Sequence, residues 1–446
     1  MDYNEAIEFV LGLPDMERSS HGMKARTMSL EAMIALLARL GNPQLGRKTA
    51  HVTGSKGKGS TSVFLTSMLS SSAKTSLYTS PHLHSYCERI CFNLKPVSAE
   101  EFASGVDEIK GAVLAEHQSG LGPISTFGAM TSLFFVLSKR HKMQWQVVEV
   151  GLGGLYDGTN VFEEKELVII TAISLEHTNI LGKTTLEIAR NKAGIIRPGA
   201  KVVVAPQKDP AVAQLIQEIC LSHNATFVDV EKEYKIEPGE FSELTQSFNL
   251  SSKKHGKRNL RLSMLGLHQL DNAATAVAAI DALNETEATV DASSMSTALE
   301  QVRVPGRIEF LQKDPTVVID GAHNGESAAA LVAALQRHFP SLKYTFVVGA
   351  NSDKNIVQIL ESLKPFCEKL IATRSVSEKA MDPKIIWQAA RDLGIKCEIC
   401  NTSIEATELA LEQADSKSLI CGTGSLYLIA EMREYFMSKK PVWSLT

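Results

Sequence analysis

The stretch His51-Val-Thr-Gly-Ser-Lys-Gly-Lys-Gly-Ser60 decides the fold of this chain. Before it, Thr49 to Thr53 is typical of a short buried strand, and after it Thr61 to Leu69 carries apolar residues at helical spacing. A tight glycine-rich turn between a strand and a helix exposes backbone N–H groups at the start of the helix, where phosphate oxygens bind well. The stretch therefore predicts a nucleotide-binding turn at the start of an α/β domain.

Seven residues of this turn are the predicted phosphate contacts: Gly54, Ser55, Lys56, Gly57, Lys58, Gly59 and Ser60. The Lys58 ammonium can pair with the β- and γ-phosphates, and the hydroxyl of Ser60 or Thr61 can face Mg²⁺. The match to the strict P-loop pattern is incomplete, because Val52 stands where that pattern has its first glycine. A glycine-rich surface turn without a ligand is the alternative interpretation.

Length and composition narrow the classes of protein. A chain of 446 residues predicts two or three domains rather than one. The formal net charge of −4 gives no global attraction to nucleic acid or to an anionic membrane. Because the N-terminus lacks a basic segment followed by an apolar run, and no apolar stretch is long enough to span a membrane, we expect a cytoplasmic protein. Seven scattered cysteines, an odd number, agree with reduced thiols.

Three predicted strands deliver polar groups to their carboxyl ends. Ser80, Glu149 and His177 each lie at or just after the end of such a strand, and ligands bind at this edge of open α/β sheets. Apolar residues flank Glu149, and an unpartnered carboxylate inside a buried strand is costly. A divalent cation bound to the phosphates would be a suitable partner, and a structural ion pair is the alternative. We expect the three residues to meet at one rim of the sheet.

The alternation of strands and helices restarts after a boundary near residues 301 to 305. We predict an α/β protein in which residues 1–300 form a doubly wound ATPase domain of the P-loop type and residues 301–446 form a smaller Rossmann-like domain. In the second domain Asp320 ends a strand in a polar segment. Arg307 lies just past the boundary and could reach a nucleotide bound by the first domain.

Motifs along nearly the whole chain resemble one family, the folylpolyglutamate and dihydrofolate synthases, a branch of the Mur ligase superfamily. The matching stretches are Val52-Thr-Gly-Ser-Lys-Gly-Lys-Gly-Ser60, Tyr78-Thr-Ser-Pro-His-Leu83, Glu149-Val-Gly-Leu-Gly-Gly154, His177-Thr178, Lys192-Ala-Gly-Ile-Ile-Arg-Pro198, His268-Gln-Leu-Asp-Asn-Ala-Ala-Thr275, Val304-Pro-Gly-Arg307, Asp320-Gly-Ala-His-Asn324 and Gly424-Ser-Leu-Tyr-Leu428. The second and the last of these are specific to the folate branch rather than to the cell-wall ligases.

The resemblance implies an ATP-dependent ligase. An acceptor carboxylate attacks the γ-phosphate of ATP to give an acyl phosphate, and the amino group of L-glutamate then displaces phosphate to form an amide. The transferring phosphoryl group needs cationic stabilisation, which Mg²⁺, Lys58 and backbone donors would supply. The implied partners are L-glutamate and a folate; whether dihydropteroate is also an acceptor stays open. We expect a monomer that binds neither nucleic acid nor membranes.

The resemblance also implies roles for individual residues. Lys58, Lys192, His323 and Ser425 are the implied catalytic residues. Ser80 and Glu149 bind one Mg²⁺, and Glu149, His177 and Lys192 surround a second. The implied nucleotide contacts outside the phosphate turn are Asn272, Arg307 and Asp320, although Asn272 could instead cap its helix. Thr126, Phe127 and Asp157 lie in the segments that contact the pterin. In this family the lysine matching Lys192 is carbamylated, so a carbamylated Lys192 is an open option.

Three departures from the family pattern affect the expected specificity. Lys56 stands where the family usually has Asn, and Gly128 where it usually has an acidic residue. Leu155-Tyr156 replaces the usual Arg-Leu in the Gly-Gly-Arg-Leu-Asp segment. The last two departures lie in the pterin segments, so we expect intact ATP chemistry and an altered acceptor pocket. Two alternatives remain open: a related ligase acting on a non-folate carboxylate, and an ATP-binding regulator that does no ligation.

Overall fold

The computed structural model describes residues 1–14, 30–286 and 290–438 of the chain. The chain divides into two compact units. Unit 1 comprises Met1–Glu237, Phe248–Leu260 and Leu270–Val302, and unit 2 comprises Pro238–Ser247, Arg261–Gln269 and the chain from Arg303 onward.

Strands and helices alternate through most of the sequence. The strands are β1 (Lys48–Thr53), β2 (Thr75–Tyr78), β3 (Ile90–Phe92), β4 (Lys95–Pro96), β5 (Trp145–Glu149), β6 (Leu167–Ile170), β7 (Lys201–Val204), β8 (Thr226–Asp229), β9 (Tyr234–Phe241), β10 (Gln246–Ser252), β11 (Gly256–Leu262), β12 (Glu309–Gln312), β13 (Thr316–Ile319), β14 (Lys343–Val348), β15 (Cys367–Ala372), β16 (Cys397–Ile399) and β17 (Ser418–Thr423).

The helices are α1 (Tyr3–Leu11), α2 (Leu30–Arg39), α3 (Lys58–Ser70), α4 (Ala99–Glu116), α5 (Thr126–Arg140), α6 (Thr185–Ala193), α7 (Pro210–Ser222), α8 (Val230–Glu233), α9 (Leu267–Asn284), α10 (Ala292–Gln301), α11 (Gly325–His338), α12 (Ile356–Leu363), α13 (Pro383–Asp392), α14 (Ser403–Glu412) and α15 (Leu426–Ser438). Single 3₁₀ turns lie at Tyr86–Arg89 and Lys364–Phe366. None of these helices is both long and apolar enough to cross a lipid bilayer, over the described part of the chain.

The main sheet of unit 1 has eight strands in the order β4-β3-β2-β5-β1-β6-β7-β8. The strands from β2 to β8 in this order pair in parallel, and β3 and β4 add antiparallel pairs at one edge. Because β2, β5, β1 and β6 are direct neighbours, the loops that follow their carboxyl ends emerge side by side. These are the loops that begin with the residues predicted to form the site.

Two apolar clusters pack on one face of the unit 1 sheet, since Val148 of the first and Val168 of the second both pair with His51 of β1. One cluster includes Leu36 of α2, Phe102 of α4, and Phe134 and Phe135 of α5, all fully buried. The second cluster joins β6 and β7 to α6 and α7 and includes Ile188. Strands buried on both faces by helices are continuous apolar runs, which is why β6 and β7 could be recognised in the sequence.

The sheet of unit 2 has six strands in the order β12-β13-β17-β14-β15-β16. The strands from β13 to β16 pair in parallel, and β12 is antiparallel to β13. A separate three-stranded sheet has the order β11-β10-β9. The predicted α/β class, with two doubly wound parts, is confirmed by these sheets.

Candidate functional site

The turn between β1 and α3 has the backbone geometry of an anion-binding site. Gly54 and Gly57 have φ values of +145° and +88°, a region that side chains disfavour. A Cβ atom at Gly57 would lie 2.1 Å from Oδ1 of Asn272, and one at Gly54 would lie 1.8 Å from Oγ1 of Thr171. Both positions therefore require glycine. The neighbouring N–H groups of Ser55 and Lys56 donate to the carbonyl of Ala172, which anchors the turn to the chain beyond β6.

The first turn of α3 carries the expected cation and hydroxyl groups. Lys58 is the first residue of the helix, and its Nζ donates to the Gly54 carbonyl at 3.0 Å. Thr61 is fully buried, and its Oγ1 has no hydrogen-bond partner among the described residues. A buried hydroxyl without a partner is costly unless a ligand or water satisfies it. The Thr61 hydroxyl can therefore face a cation at the phosphates, the role predicted for Ser60 or Thr61.

Glu149 lies beside this helix start, as its strand position predicts. It ends β5, is 4% exposed, and accepts a hydrogen bond at 3.1 Å from the backbone N–H of Ser80. A Cβ atom on Gly59 would lie 3.6 Å from Glu149 Oε2. The strand ends of β1, β2 and β5 therefore bring the phosphate turn, Ser80 and Glu149 together. Hydroxyl and carboxylate oxygens are the ligands that Mg²⁺ prefers, so these residues fit that ion.

Lys192 of α6 reaches the same turn from the other side. Its side chain is 1% exposed, and its Nζ donates at 2.8 Å both to the Gly54 carbonyl and to Oε1 of Glu176. Burial, with the nearby charge of Lys58, lowers the pKa of Lys192 to about 8 despite the opposing effect of Glu176. Burial raises the pKa of Glu176, but Lys192 and Lys58 outweigh it and the net pKa is lowered. A neutral amine is therefore accessible near neutral pH.

Glu176 was missed by sequence reasoning, which selected its neighbour His177. His177 follows β6 as predicted, but it is exposed and has a φ of +45°. The contact with Lys192 is made by Glu176. Among the described residues, no group of three or more His, Cys, Asp or Glu side chains is arranged to hold a metal ion. The signal for Glu176 was its place at the same strand end, within Leu175-Glu-His-Thr178.

The three residues assigned to the pterin segments have different surroundings. Thr126 Oγ1 donates to the carbonyls of Val10 and Leu13, so this hydroxyl holds the N-terminal segment. The Phe127 ring lies 5.8 Å from that of Tyr78 and fills the space beside Gly151. Asp157 is the buried carboxylate of the group, and burial raises its pKa while hydrogen bonds from Thr159 and from backbone N–H groups oppose that rise.

Two of the residues that depart from the family pattern line one cleft of unit 1. This shallow cleft, with a cavity volume of only about 20 Å³, has Gly128 and Tyr156 in its wall, together with Met33, Ile124, Ser125 and Gly158. Tyr156 is 62% exposed, whereas Gly128 is buried at the start of α5. A Cβ atom at Gly128 would lie 3.2 Å from the Ile124 side chain, so a larger residue here would press against Ile124. With glycine at this position, the cleft wall lacks the acidic side chain that the family usually has there.

Unit 2 has its own cluster of polar residues at the carboxyl ends of β13 and β17. Asp320 follows β13 and accepts hydrogen bonds from the backbone N–H groups of Ile308 at 3.0 Å and Ala322 at 2.8 Å. Burial raises the pKa of Asp320, and the charge of Arg307 opposes that rise. His323 Nδ1–H donates to the Gly321 carbonyl at 3.1 Å. Ser425 follows β17 and accepts from the Tyr427 N–H at 3.2 Å.

Asn272 lies inside α9 rather than at its start. The helix begins at Leu267, so the alternative of a capping role does not apply to it. Its side-chain oxygen lies against Gly57 of the phosphate turn. Asn272, which matches a nucleotide contact of the family, therefore lies next to the backbone of the phosphate turn.

Comparisons with known proteins give the family of this chain. Residues 52–280 match the Mur ligase middle domain, and residues 306–426 match the Mur ligase glutamate ligase domain. A dihydrofolate synthase/folylpolyglutamate synthase of Bacillus subtilis is 32% identical over 413 residues, which cover 91% of this chain and 94% of that protein. A folylpolyglutamate synthase of Lacticaseibacillus casei is 26% identical, covering 99% of this chain and 100% of that protein.

The fold agrees with solved structures. A Mycobacterium tuberculosis folylpolyglutamate synthase complexed with ADP and AMPPCP superposes with a TM-score of 0.84 and 27% identity, covering 97% of this chain and 99% of that one. Similarity of this extent, with both ligase domains matched in order, identifies the family. The chain belongs to the Mur ligase family, in the branch of the folylpolyglutamate and dihydrofolate synthases.

Proposed function

We propose that this chain adds L-glutamate to the carboxyl group of a folate in an ATP-dependent reaction, with dihydropteroate as a second acceptor to be tested. The observation that carries the proposal is the buried Lys192 beside the phosphate turn, with Glu149 and the unpartnered Thr61 hydroxyl at the start of the same helix. A nucleotide-binding regulator without ligase activity has no evident need for this costly buried lysine. The full-length similarity to folate ligases supports the same proposal.

The proposed roles follow the two domains predicted from the sequence. Residues 1–300 bind ATP and the folate, and residues 301–446 bind the incoming glutamate. The phosphate turn from Gly54 to Ser60 holds the triphosphate through those of its backbone N–H groups that do not donate to Ala172, and Lys58 balances its charge. Asn272, next to the phosphate turn, is a further nucleotide contact by resemblance to the family. Thr126, Phe127 and Asp157 belong to the acceptor side.

The reaction is a two-step transfer. An oxygen of the acceptor carboxylate attacks the γ-phosphorus of ATP, the bond to ADP breaks, and an acyl phosphate forms. The glutamate nitrogen, after losing a proton, attacks the acyl carbon, and inorganic phosphate leaves as the amide forms. Lys58 stabilises the negative charge that spreads over the transferring phosphoryl group. His323 and Ser425 hold the incoming glutamate.

By resemblance to the family, residues of unit 1 would hold two Mg²⁺ ions, which would neutralise phosphate charge when bound. Ser80 and Glu149 would hold one, and Glu149, His177 and Lys192 would surround the other. An uncharged Lys192 amine can react with carbon dioxide to a carbamate, which would turn a cation into an anion facing this site. The pKa of about 8 supports that option.

Phosphate release from Mg-ATP, measured with L-glutamate and with dihydropteroate and tetrahydrofolate as separate acceptors, tests the proposal. We expect release with tetrahydrofolate in wild type and none with Lys58→Met. The exposed Lys183→Met is the matched control, with wild-type release expected. Release with both acceptors makes this a bifunctional enzyme. No release with either acceptor, while Mg-AMPPCP still binds, contradicts the proposal and favours a non-folate carboxylate.

The cleft lined by Gly128 and Tyr156 contains two of the residues that depart from the family pattern, and substitutions there test the choice of acceptor. Its side chains are apolar or hydroxyl-bearing at the positions described, so its wall carries no charged group. Tyr156→Leu and Gly128→Glu restore residue types usual in the family. We expect these substitutions to change the ratio of activities on the two acceptors and to leave nucleotide affinity unchanged.

A further inference from the structure

A row of buried polar side chains lies beneath the loop of residues 150–166 that joins β5 to β6, which we call the acceptor loop. His51 of β1 and Thr159 are fully buried, and Lys165 is 5% exposed. The proposed chemistry uses none of the three. Buried polar groups are costly unless hydrogen-bonded, so a fully connected row of them specifies one arrangement of the surrounding chain.

The contacts along this row are continuous. Lys165 Nζ lies 2.8 Å from His51 Nδ1, and His51 Nε2 lies 2.8 Å from Thr159 Oγ1. The Thr159 hydroxyl lies 2.5 Å from Asp157 Oδ1. An ionised carboxylate only accepts, so the Thr159 hydroxyl donates to Asp157 and accepts from His51 Nε2–H. His51 Nδ1 then accepts from Lys165, and every group in the row has a defined role.

The row fixes both oxygens of Asp157 through the loop. Oδ1 accepts from the Thr159 hydroxyl and from the Thr159 N–H at 2.9 Å, and Oδ2 accepts from the Leu152 N–H at 2.8 Å. The carboxylate thus ties residue 152 to residue 159 across a loop without regular secondary structure. The hydroxyl and the histidine connect this tie to β1, the strand that leads into the phosphate turn.

Lys165 closes the other end of the loop. Its Nζ lies 3.3 Å from Asn160 Oδ1, which also accepts from Arg197 at 2.9 Å. Asn160 in turn donates to the carbonyls of Leu155 and Gly194. The polar partners of Lys165, within the described ranges, are a histidine and an amide rather than a carboxylate. Burial lowers the pKa of Lys165 well below that of an exposed lysine, which agrees with an uncharged amine at this position.

We propose that His51, Thr159 and Lys165 are positioning residues that orient the Asp157 carboxylate for binding of the acceptor. The inference rests on the proposed function, in which Asp157 contacts the acceptor. It predicts that loss of the row weakens acceptor binding and leaves nucleotide binding unchanged, since the phosphate contacts are backbone N–H groups of a separate turn. A merely structural role would lower stability without this selectivity.

A pair of substitutions at Thr159 tests the central link. Thr159→Val keeps the shape and removes the hydroxyl, whereas Thr159→Ser keeps the hydroxyl. We expect at least a tenfold rise in the acceptor KM for Thr159→Val, a kcat within about threefold, and a KM near wild type for Thr159→Ser. The Kd for Mg-AMPPCP should stay within about twofold in both. An unchanged acceptor KM, or an equal loss of nucleotide affinity, overturns the proposal.

A second pair at His51 keeps the test usable if Thr159→Val does not fold. Gln can place an N–H donor near the position of His51 Nε2, whereas Asn is too short to reach Thr159. We therefore expect a nearly wild-type acceptor KM for His51→Gln and a raised one for His51→Asn. The reverse order, or equal effects, contradicts the assigned donor directions.

Amide hydrogen exchange separates failure of this inference from failure of the proposed function. The N–H groups of Leu152 and Thr159 both donate to Asp157, so their exchange should speed up in Thr159→Val and not in Thr159→Ser. This readout needs no turnover. If wild type uses neither acceptor, the proposed function fails while the exchange result still supports or refutes the row. Unchanged exchange in folded Thr159→Val refutes it.

Discussion

Replacing Lys192 by methionine is expected to remove the contribution of Lys192 to the rise in stability at alkaline pH, while that of Lys165 remains in both proteins. Lys192 has a pKa of about 8 in the folded protein and 10.5 as an unperturbed side chain, with burial as the main cause and the charge of Lys58 as the second. Between these values the unfolded chain keeps the proton and the folded chain has released it. The unfolded state then binds more protons, so the free energy of unfolding rises with pH.

The size of this effect follows from the two pKa values. Their difference of roughly 2.5, at about 1.4 kcal/mol for each pH unit, corresponds to about 3 kcal/mol across the window from pH 8 to 10.5. Below pH 8 the wild type bears the full cost of burying the charge. Lys192→Met loses the hydrogen bonds to Gly54 and Glu176, which shifts its absolute stability, but it has no proton to release in this window.

Urea unfolding of wild type and Lys192→Met at several pH values from 7 to above 10 measures the effect. The difference between the two unfolding free energies cancels the other groups that titrate in both proteins. The exposed Lys183→Met is the control and should follow wild type. A difference between wild type and Lys192→Met that stays constant with pH would falsify the reasoning.

Three further predictions concern the site directly. Gly57→Ala places a Cβ atom 2.1 Å from Asn272 Oδ1 at a φ of +88°, which costs about 1–3 kcal/mol of strain. Calorimetry should show Mg-AMPPCP binding weakened at least about tenfold. The control Gly111→Ala, where a new Cβ atom would have no neighbour within 4 Å, should bind Mg-AMPPCP as wild type does. Thr61→Val removes a buried hydroxyl that has no hydrogen-bond partner among the described residues, so the ligand-free protein should be no less stable in thermal unfolding. The dependence of nucleotide affinity on Mg²⁺ should weaken. A nucleotide affinity that responds to Mg²⁺ as in wild type would show that Thr61 is not a Mg²⁺ ligand. Ser425→Ala should raise the KM for L-glutamate about tenfold without changing the nucleotide Kd, with the exposed Ser438→Ala as control; an unchanged KM removes Ser425 from the glutamate site.

Some parts of the site could be predicted because their signals are local. Gly54 and Gly57 are needed for backbone angles that side chains disfavour, and the strand before them and the helix after them have their own periodicities. Glu149 was predictable because a carboxylate in an otherwise apolar strand must have a partner. Parallel strands that end at one edge then bring Ser80 and Glu149 together without any further information.

Other parts depend on contacts between distant segments. The sequence offered Glu176 and His177 side by side, and only the packing of α6 against the turn selects Glu176 for Lys192. Asn272 was assigned near a helix start, whereas α9 begins five residues earlier and turns the amide toward Gly57. Thr126, expected on the acceptor side, has its hydroxyl bonded to the N-terminal segment.

The sequence alone determined the α/β class, the phosphate turn and the family, because these are encoded in short motifs and in the spacing of apolar residues. Tertiary structure decided the protonation of Lys192 and the row from Lys165 through His51 to Asp157. Desolvation and hydrogen-bond partners are properties of the folded surroundings, and they join residues more than a hundred positions apart, such as His51 and Lys165. No local pattern carries that information.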